Sequence, residues 1–328
     1  MLTSRITQLI DWLNEATPYK VEQLDLVSGD ASFRRYYRFQ KSEQPYIAVD
    51  APPETENNEA FLRNAELYQK ANVRVPSILH FDSALGFMCL EDFGDLLLSQ
   101  VLTDDNYQSY YSHALDCLLG IQSISETKDH SLPPYDDALL RRDFSLFTDW
   151  LIGTHLRMEV SESEVEMLEK VFHLLSSNFD EQPQVAVHRD FHSRNIMLLE
   201  DDELGIIDFQ DTAVGPLTYD TVSLLRDCYV RWPDDGVISV LKSHHQQYFD
   251  QFSWELFKRW FDLTGIQRHI KAIGIFARLH HRDGKSIYLQ DIPRTLSYIV
   301  DIGKQYHELT DFIRFLENRV IVELRKLQ

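Results

Sequence analysis

The hydrophobic pattern of this chain changes its period near Gly94, and this change restricts the possible folds more than any other feature. Between residues 21 and 92, β-branched and aromatic residues form five short runs separated by turn residues, which predicts antiparallel strands. Residues 54–71 interrupt these runs with the three- and four-residue spacing of a helix. After Gly94 helical spacing dominates, and three short strand-like pieces occur between residues 185 and 209. The sequence therefore predicts an α+β fold.

Two lobes are expected from this division. The first, residues 1–92, is predicted to hold a small antiparallel sheet with one long helix. The second, residues 93–328, is predicted to be larger and mostly helical. A chain of 328 residues is long enough to bury a hydrophobic core in each lobe.

The charge and the cysteine content restrict the partners and the compartment. The formal net charge of −20, from 32 basic and 52 acidic residues, repels nucleic acids and anionic membrane surfaces. The sequence shows neither an apolar run of membrane-spanning length nor the pattern of a signal peptide near residue 1. Its three cysteines lack paired spacing and are interpreted as free thiols of a reducing compartment. We expect a cytoplasmic protein without a nucleic-acid, membrane or obligate protein partner.

The segment from His188 to Asp211 carries the most informative polar pattern, HRDFHSRN followed by IIDFQD. Phosphoryl transfer needs a carboxylate that orients the acceptor hydroxyl and hard oxygen ligands for Mg²⁺. Asp190 fits the first role. Asn195 and Asp208 fit the second, because a hairpin between them brings both side chains to one ion. The order and spacing match the kinase template, and a hairpin with incidental polar ends is the alternative.

The same segment resembles the catalytic loop of the aminoglycoside phosphotransferase and choline kinase superfamily. The resemblance implies a protein-kinase-like two-lobed fold that uses ATP and Mg²⁺, with Asp190 as a catalytic residue. It also implies that His192 stabilises charge on the transferred phosphoryl group, and a hydrogen-bonded structural histidine is the alternative. His188 is expected to brace the loop, and Asp220 to tie the following helix to it.

In the first lobe, the turn SGDASFRR occupies the place of the phosphate-covering loop of kinase-like folds. Ser32 is a candidate to hold phosphate oxygens and Arg34 and Arg35 add charge, whereas a solvated basic turn is the alternative. Glu59 opens the long helix where related kinases carry a glutamate paired with a third-strand lysine. Asp50 stands in place of that lysine. We therefore expect Arg35, or as second choice Arg34, to contact the α- and β-phosphates.

The run CLEDFG from Cys89 to Gly94 resembles the segment that joins the lobes in such folds. Extended backbone there offers a carbonyl and an N–H group to adenine. Leu90 and Asp92 are the predicted contact positions.

Blocks in both lobes, among them YIAVDAPPE and IQRHIKAIGIFARLHHRDGK, resemble the anomeric kinases for N-acetylmuramate and N-acetylglucosamine of bacterial cell-wall recycling. The resemblance implies transfer of the ATP γ-phosphate to the C1 hydroxyl of an amino sugar. The lactyl carboxylate of N-acetylmuramate requires a cation, and the candidates are Arg142, Arg226, Arg268 and Arg278. Metal binding by His280 and His281 is not expected, because adjacent helical residues point in different directions.

Two other functions stay open from the sequence. One is an aminoglycoside phosphotransferase, or another phosphotransferase for small-molecule hydroxyl groups, whose acidic acceptor pocket would agree with the net charge. The other is a non-catalytic nucleotide-binding regulator, which the missing lysine suggests. The complete set of Asp190, Asn195 and Asp208 argues against the regulator, since a protein without catalysis has little use for it.

Overall fold

Five antiparallel strands form one sheet near the amino terminus, in the order β1-β2-β3-β5-β4. A computed structural model describes residues 4–28, 33–125 and 131–327 of the chain. The strands are β1 Asp25–Ser28, β2 Arg35–Lys41, β3 Gln44–Asp50, β4 Ile78–Asp82 and β5 Phe87–Glu91. Each of the pairs in this order is antiparallel. Short turns connect β2 to β3 and β4 to β5, as is common between antiparallel neighbours.

Helix α1, Arg5–Ala16, covers one face of this sheet. Ser4 caps it by accepting a hydrogen bond from the Thr7 N–H, as serine does at many helix starts. The register pairs Tyr37 with Ala48, and Ala48 with Cys89. These residues form one hydrophobic cluster with Trp12 and other residues of α1, since paired residues of neighbouring strands point to the same face.

The described residues separate into two compact units. The sheet unit holds those up to Val101 together with Ser193–Thr212, and the helical unit holds those from Leu102 to His192 and from Ala213 onwards. In the sheet unit lie helices α2 Asn58–Lys70 and α3 Leu98–Val101. A second hairpin, β7 Ile196–Leu198 with β8 Leu204–Ile206, also belongs to it.

The helical unit is built from nine α-helices among the described residues and one short ladder. Strands β6 Gln184–Val187 and β9 Ala213–Pro216 pair antiparallel. The helices are α4 Tyr107–Gln122, α5 Asp137–Ser145, α6 Glu162–Glu181, α7 Tyr219–Leu225, α8 Asp234–Tyr248, α9 Trp254–Asp283, α10 Ile292–Gly303, α11 Thr310–Phe315 and α12 Ile321–Leu327. The longest, α9, supplies Ile266, Ile270 and Ile273 to the hydrophobic core.

A π-helical segment, Leu146–His155, continues α5. It runs beside α9 at Gly274, where an added Cβ would stand 2.4 Å from the Leu146 carbonyl carbon. Only glycine permits such a close approach. Sequence periodicity predicts an ordinary α-helix here. A π-helical insertion uses the same residue types as an α-helix and only shifts the buried face, so the sequence pattern does not reveal it.

The predicted fold class is confirmed: an antiparallel sheet with one long helix, α2, precedes a mostly helical part. Helix α2 begins at Asn58, four residues later than the predicted start at residue 54, because Asn57 caps it. The described part of the chain contains no helix that combines the length and hydropathy a membrane crossing requires. The boundary predicted after residue 92 stays a prediction.

Candidate active site

The carboxylate of Asp220 shapes the backbone of the segment that follows β6. It accepts hydrogen bonds from the N–H groups of His188, at 2.5 Å, and Arg189, at 3.0 Å. Arg189 has a φ of 78°, an uncommon conformation for a residue with a side chain, which surrounding contacts must stabilise. Burial raises the pKa of Asp220, although His188 and the two N–H groups oppose this rise. The buried pair of His188 and Asp220 therefore holds the turn before Asp190.

Asp190 lies in a cationic environment within the helical unit. Burial raises the pKa of its carboxyl group, but Lys271, His192, Arg268 and Arg189 outweigh it and lower the pKa to about 2. The carboxylate is therefore ionised at neutral pH. A carboxylate of such low basicity orients a hydroxyl well and accepts its proton only when the oxygen is already transferring.

The cation that acts most strongly on Asp190 is Lys271 of α9, which sequence reasoning missed. Lys271 Nζ lies 3.6 Å from Asp143 Oδ2 and donates a hydrogen bond to the Tyr219 hydroxyl at 3.2 Å. Tyr135 donates a hydrogen bond to the same Asp143 carboxylate. Burial lowers the pKa of Lys271, but Tyr219, Asp143 and Asp190 raise it above its ordinary value. Lys271 is therefore a charged lysine in the interior.

His192 lies beside Asp190 and an aromatic ring. Its N–H donates a hydrogen bond to the Asp190 carbonyl at 3.0 Å. Its imidazole meets the ring of Tyr229 edge-on, with centroids 5.3 Å apart. Tyr229 is half-buried, and its ring is of the kind that stacks on sugar rings.

In the sheet unit, the hairpin of β7 and β8 brings Asn195 next to Asp208, as the spacing predicts. Asn195 Nδ2 donates a hydrogen bond to Asp208 Oδ2 at 3.2 Å, and Gln210 Nε2 donates to Asp208 Oδ1 at 2.7 Å. Asp208 is exposed and has a φ of 65°. An amide oxygen and a carboxylate are hard donors of the kind Mg²⁺ prefers, so this pair fits a magnesium ion.

Helix α2 holds the residues after Asp208 in place. Phe209 packs against the rings of Phe61 and Tyr68, with centroids 4.8 and 5.5 Å apart. The fully buried Asn64 donates from Nδ2 to the carbonyls of Phe209 and Gln210, both at 2.9 Å. Sequence reasoning missed Asn64, whose only signal was an amide on the apolar face of α2.

Arg34 is a buried cation of the sheet unit. Its guanidinium lies 3.2 Å from the Glu56 carboxylate and stacks over Phe61 at 4.9 Å. Burial raises the pKa of nearby Tyr36 to about 12, with Arg34 opposing and Asp208 adding to the rise. The charges of Arg34 and Asp208 thus both act on the hydroxyl group of Tyr36. Glu56, just before α2, is the ion-pair partner of Arg34, and Glu59 is exposed.

Asp50, at the position of the missing lysine, belongs to the α1 side of the sheet. It pairs in register with Arg35, and Arg5 of α1 donates to its carboxylate at 2.7 Å. Asp50 therefore fastens α1. Arg35 is exposed at the start of β2, and Ser32 lies outside the described residues. The phosphate-binding roles of Ser32, Arg34, Arg35 and Glu59 stay predictions.

The two predicted adenine-contact positions differ in their surroundings. Leu90 lies within β5 and pairs with Ile47 on one side and Ile78 on the other. Asp92 follows the end of β5, and its carboxylate binds Arg38 at 2.5 Å and the Gly94 N–H at 2.8 Å. These contacts fix the backbone just outside the sheet. Adenine contact at Leu90 and Asp92 stays a prediction.

The four arginines considered for a substrate carboxylate have different environments. Arg226 is buried and donates to Asp262 at 2.7 Å, which favours a structural role. Arg268 donates to the Arg189 carbonyl at 3.3 Å. Arg142 is exposed on α5, and Arg278 is half-buried. Burial and the charges of Arg282 and Arg142 lower the pKa of Arg278, and the carboxylates of Asp283 and Asp143 partly oppose this.

Comparison with known proteins agrees with this arrangement. The family model described as "Phosphotransferase enzyme family" matches residues 23–258. The N-acetylmuramate/N-acetylglucosamine kinase of Pseudomonas aeruginosa is 39% identical over 327 residues, 94% of this chain and 95% of that protein. The protein of the same name from Neisseria meningitidis is 33% identical over 325 residues, 95% of each chain.

Solved structures share the fold at low sequence identity. An aminoglycoside phosphotransferase, APH(2'')-Ib with ADP bound, has a TM-score of 0.59 and 17% identity, covering 90% of this chain and 98% of that one. Choline kinase LicA from Streptococcus pneumoniae has a TM-score of 0.63 and 15% identity, covering 91% and 100%. The kinase-like fold is thereby confirmed. The chain belongs to the phosphotransferase enzyme family.

Proposed function

We propose that this enzyme transfers the γ-phosphate of ATP to the anomeric hydroxyl of N-acetylmuramate, N-acetylglucosamine or both, and so acts in the recycling of bacterial cell wall. The observation that carries the proposal is the cationic environment of Asp190, in a chain that matches kinases named for these two sugars along 94% of its length. We place the enzyme in the cytoplasm, where ATP is available.

Asp190 has the properties that an anomeric acceptor requires. A hemiacetal hydroxyl is more acidic than an ordinary alcohol, so a weak base suffices. The carboxylate orients the C1 hydroxyl and takes its proton while the oxygen bonds to the γ-phosphorus and the bond to the ADP oxygen breaks. The pKa of about 2 suits this late proton transfer.

The remaining groups neutralise the charge of the nucleotide. Asn195 and Asp208 would hold Mg²⁺, which would offset the negative charge of the phosphates. His192 supplies a hydrogen-bond donor toward the transferred phosphoryl group. Arg34, held by Glu56 at 3.2 Å, replaces the missing strand lysine. A planar guanidinium suits phosphate oxygens because it presents parallel N–H donors.

The rival functions have less support. The aminoglycoside phosphotransferase APH(2'')-Ib shares 17% identity with this chain, which shows the fold alone. A non-catalytic regulator would not need the carboxylate and amide donors that meet at the hairpin end, 3.2 Å apart.

Arg278, together with Arg142, supports recognition of the lactyl carboxylate of N-acetylmuramate. Arg278 Nε is buried and has no hydrogen-bond partner among the described residues, and an anion would satisfy it. Arg278→Met should raise the KM for N-acetylmuramate by about tenfold and leave the KM for N-acetylglucosamine, which lacks the carboxylate, unchanged. Arg282→Met is the matched control. Equal effects of Arg278→Met on both sugars would reject this subsite.

A panel of acceptors tests the proposed activity. The protein, Mg²⁺ and ATP are incubated with N-acetylmuramate, N-acetylglucosamine, their methyl glycosides blocked at C1, and kanamycin, and ADP release is measured. We expect turnover of the free sugars only, with a product whose phosphorus couples to the anomeric proton in nuclear magnetic resonance spectra. Equal turnover of a blocked glycoside would overturn the anomeric assignment.

A further inference from the structure

Three histidines from two segments of the helical unit meet at its surface. His155 ends the π-helical segment, and His280 and His281 lie in the last turn of α9. One potential ligand atom of each lies within 4.8 Å of the others. His155 Nδ1 and His281 Nε2 are 3.0 Å apart. No local pattern of the sequence indicated that His155 lies beside the other two histidines.

The positions of the rings show why adjacent histidines can act together here. The centroids of His280 and His281 are 4.5 Å apart, and that of His155 lies 5.3 Å from His281 and 6.0 Å from His280. Adjacent helical residues diverge at their Cβ atoms, but long planar rings can turn back toward a third group. His155 supplies that group.

We propose that His155, His280 and His281 form a binding site for a divalent transition metal of the zinc type. Imidazole nitrogens bind Zn²⁺ at about 2.0–2.1 Å, so tetrahedral ligands lie about 3.3–3.5 Å apart. Small rotations of the three rings bring their nitrogens to this separation. Three protein ligands leave the fourth position to water, because His281 is exposed. Mg²⁺ is excluded as the occupant, since it requires oxygen donors.

The surroundings orient the ligands and limit the opposing charge. Ser286 Oγ lies 2.9 Å from His280 Nδ1, so this hydrogen bond fixes the ring and leaves Nε2 as the ligand atom. Asp283 pairs with Arg282 through two hydrogen bonds, which offsets the nearest charge on α9. Burial lowers the pKa of His155, consistent with the neutral form that binds metals.

A metal ion would connect the end of the π-helical segment to the end of α9. Of these two segments, α9 also takes part in the proposed active site, because it carries Lys271 and Arg278. At present His155 and His281 share one hydrogen bond between ring nitrogens. Metal binding replaces that bond, and the donating ring moves its proton to its other nitrogen, so no proton is released.

The test measures binding of Co²⁺ and Zn²⁺ to the full-length protein without nucleotide. Co²⁺ reports its ligands by its visible spectrum, and Zn²⁺ competes for the same site. We expect one equivalent of Co²⁺ in a tetrahedral nitrogen and oxygen environment without a sulfur charge-transfer band. His281→Gln should weaken binding by at least about tenfold, as should His155→Gln. His307→Gln, at an exposed histidine paired with Glu308, is the control and should bind as the wild type does.

Thermal unfolding provides a second readout. Zn²⁺ at about 100 times its dissociation constant stabilises by about 2.7 kcal/mol, so the midpoint should rise in the wild type and in His307→Gln but not in His281→Gln. No bound Co²⁺ at 100 µM, taken as about the weak limit for a built site, would overturn the proposal. A tenfold weaker affinity in the control, or an unchanged affinity in both His155→Gln and His281→Gln, would overturn it as well.

Discussion

Replacement of Lys271 by methionine tests how the helical unit sets the pKa of Asp190. The substitution removes the buried cation and leaves the Asp143 carboxylate, 3.6 Å away, without its ion-pair partner. At an effective dielectric constant of about 20, that attraction is about 4–5 kcal/mol. Breaking a buried ion pair from one side costs about 3–5 kcal/mol. Tyr135 continues to donate to Asp143, so we expect the lower end, about 3 kcal/mol.

A double variant separates stability from catalysis. Lys271→Met with Asp143→Asn removes both charges of the ion pair. The asparagine oxygen still accepts the hydrogen bond from Tyr135. We expect it to recover most of the lost free energy of unfolding, measured by denaturant titration. The effect on Asp190 should persist, since its strongest cationic neighbour is absent in both variants.

The pH dependence of kcat/KM reports that effect. A folded-state pKa of about 2, below the ordinary value of 3.8, means that wild-type Asp190 stays ionised throughout the range above about pH 4. The ion pairing of Asp190 stabilises the fold above that range and is lost as the pH falls through about 2. In the double variant the pKa of Asp190 should rise by about 1–3 units. The acidic limb of the kcat/KM profile should therefore lie at higher pH than in the wild type.

The protonation of the nucleotide affects the pH profiles of the wild type and the double variant equally, so the difference between the two profiles does not contain it. Superimposable acidic limbs in wild type and double variant, with stability recovered, would refute the assigned influence of Lys271 on Asp190. A control variant, Lys242→Met, removes a lysine of α8 that is exposed and should change neither the limb nor the unfolding midpoint.

Three further substitutions have expected outcomes. Asn64→Leu removes the bonds to the Phe209 and Gln210 carbonyls and should raise the Mg²⁺ concentration for half-maximal activity several-fold, whereas an unchanged value would disconnect α2 from the metal pair. Asp220→Asn leaves one N–H of the loop without an acceptor, at a cost of about 1–3 kcal/mol, and should lower kcat together with the unfolding midpoint in calorimetry. Arg34→Met should raise the KM for ATP well above the effect of Arg35→Met, and the reverse order would restore the sequence-based preference for Arg35.

Local patterns of the sequence were sufficient for the sheet and for the proximity of Asn195 and Asp208. Alternation within each strand depends on neighbouring residues, so the five strands were predictable. The meeting of Asn195 and Asp208 required only a hairpin of known length between them. The kinase-like spacing supplied the rest, and the structure places the two side chains 3.2 Å apart.

Contacts between distant segments were not predictable. Lys271 and Asp143 lie on different helices that are far apart in the sequence. Their ion pair, which compensates the burial of both charges, forms only in the folded protein. The same holds for the ion pair of Arg34 and Glu56, which no local pattern of the sequence indicated. The role of Asp50 also depended on the register, because a single residue determines which face of the sheet a side chain occupies.

The most direct test of the central claim is the kinetics of Asp190→Asn with the free sugars as acceptors. Asparagine keeps the shape of the side chain but cannot take the proton of the hydroxyl. Loss of general base catalysis should lower kcat by about 10²–10⁴-fold, while the KM for ATP changes little. The thermal unfolding midpoint should fall, because the ion pairing of Asp190 with its cationic neighbours is lost. A variant that is folded and retains more than about a tenth of the wild-type kcat, outside that range, would contradict the account.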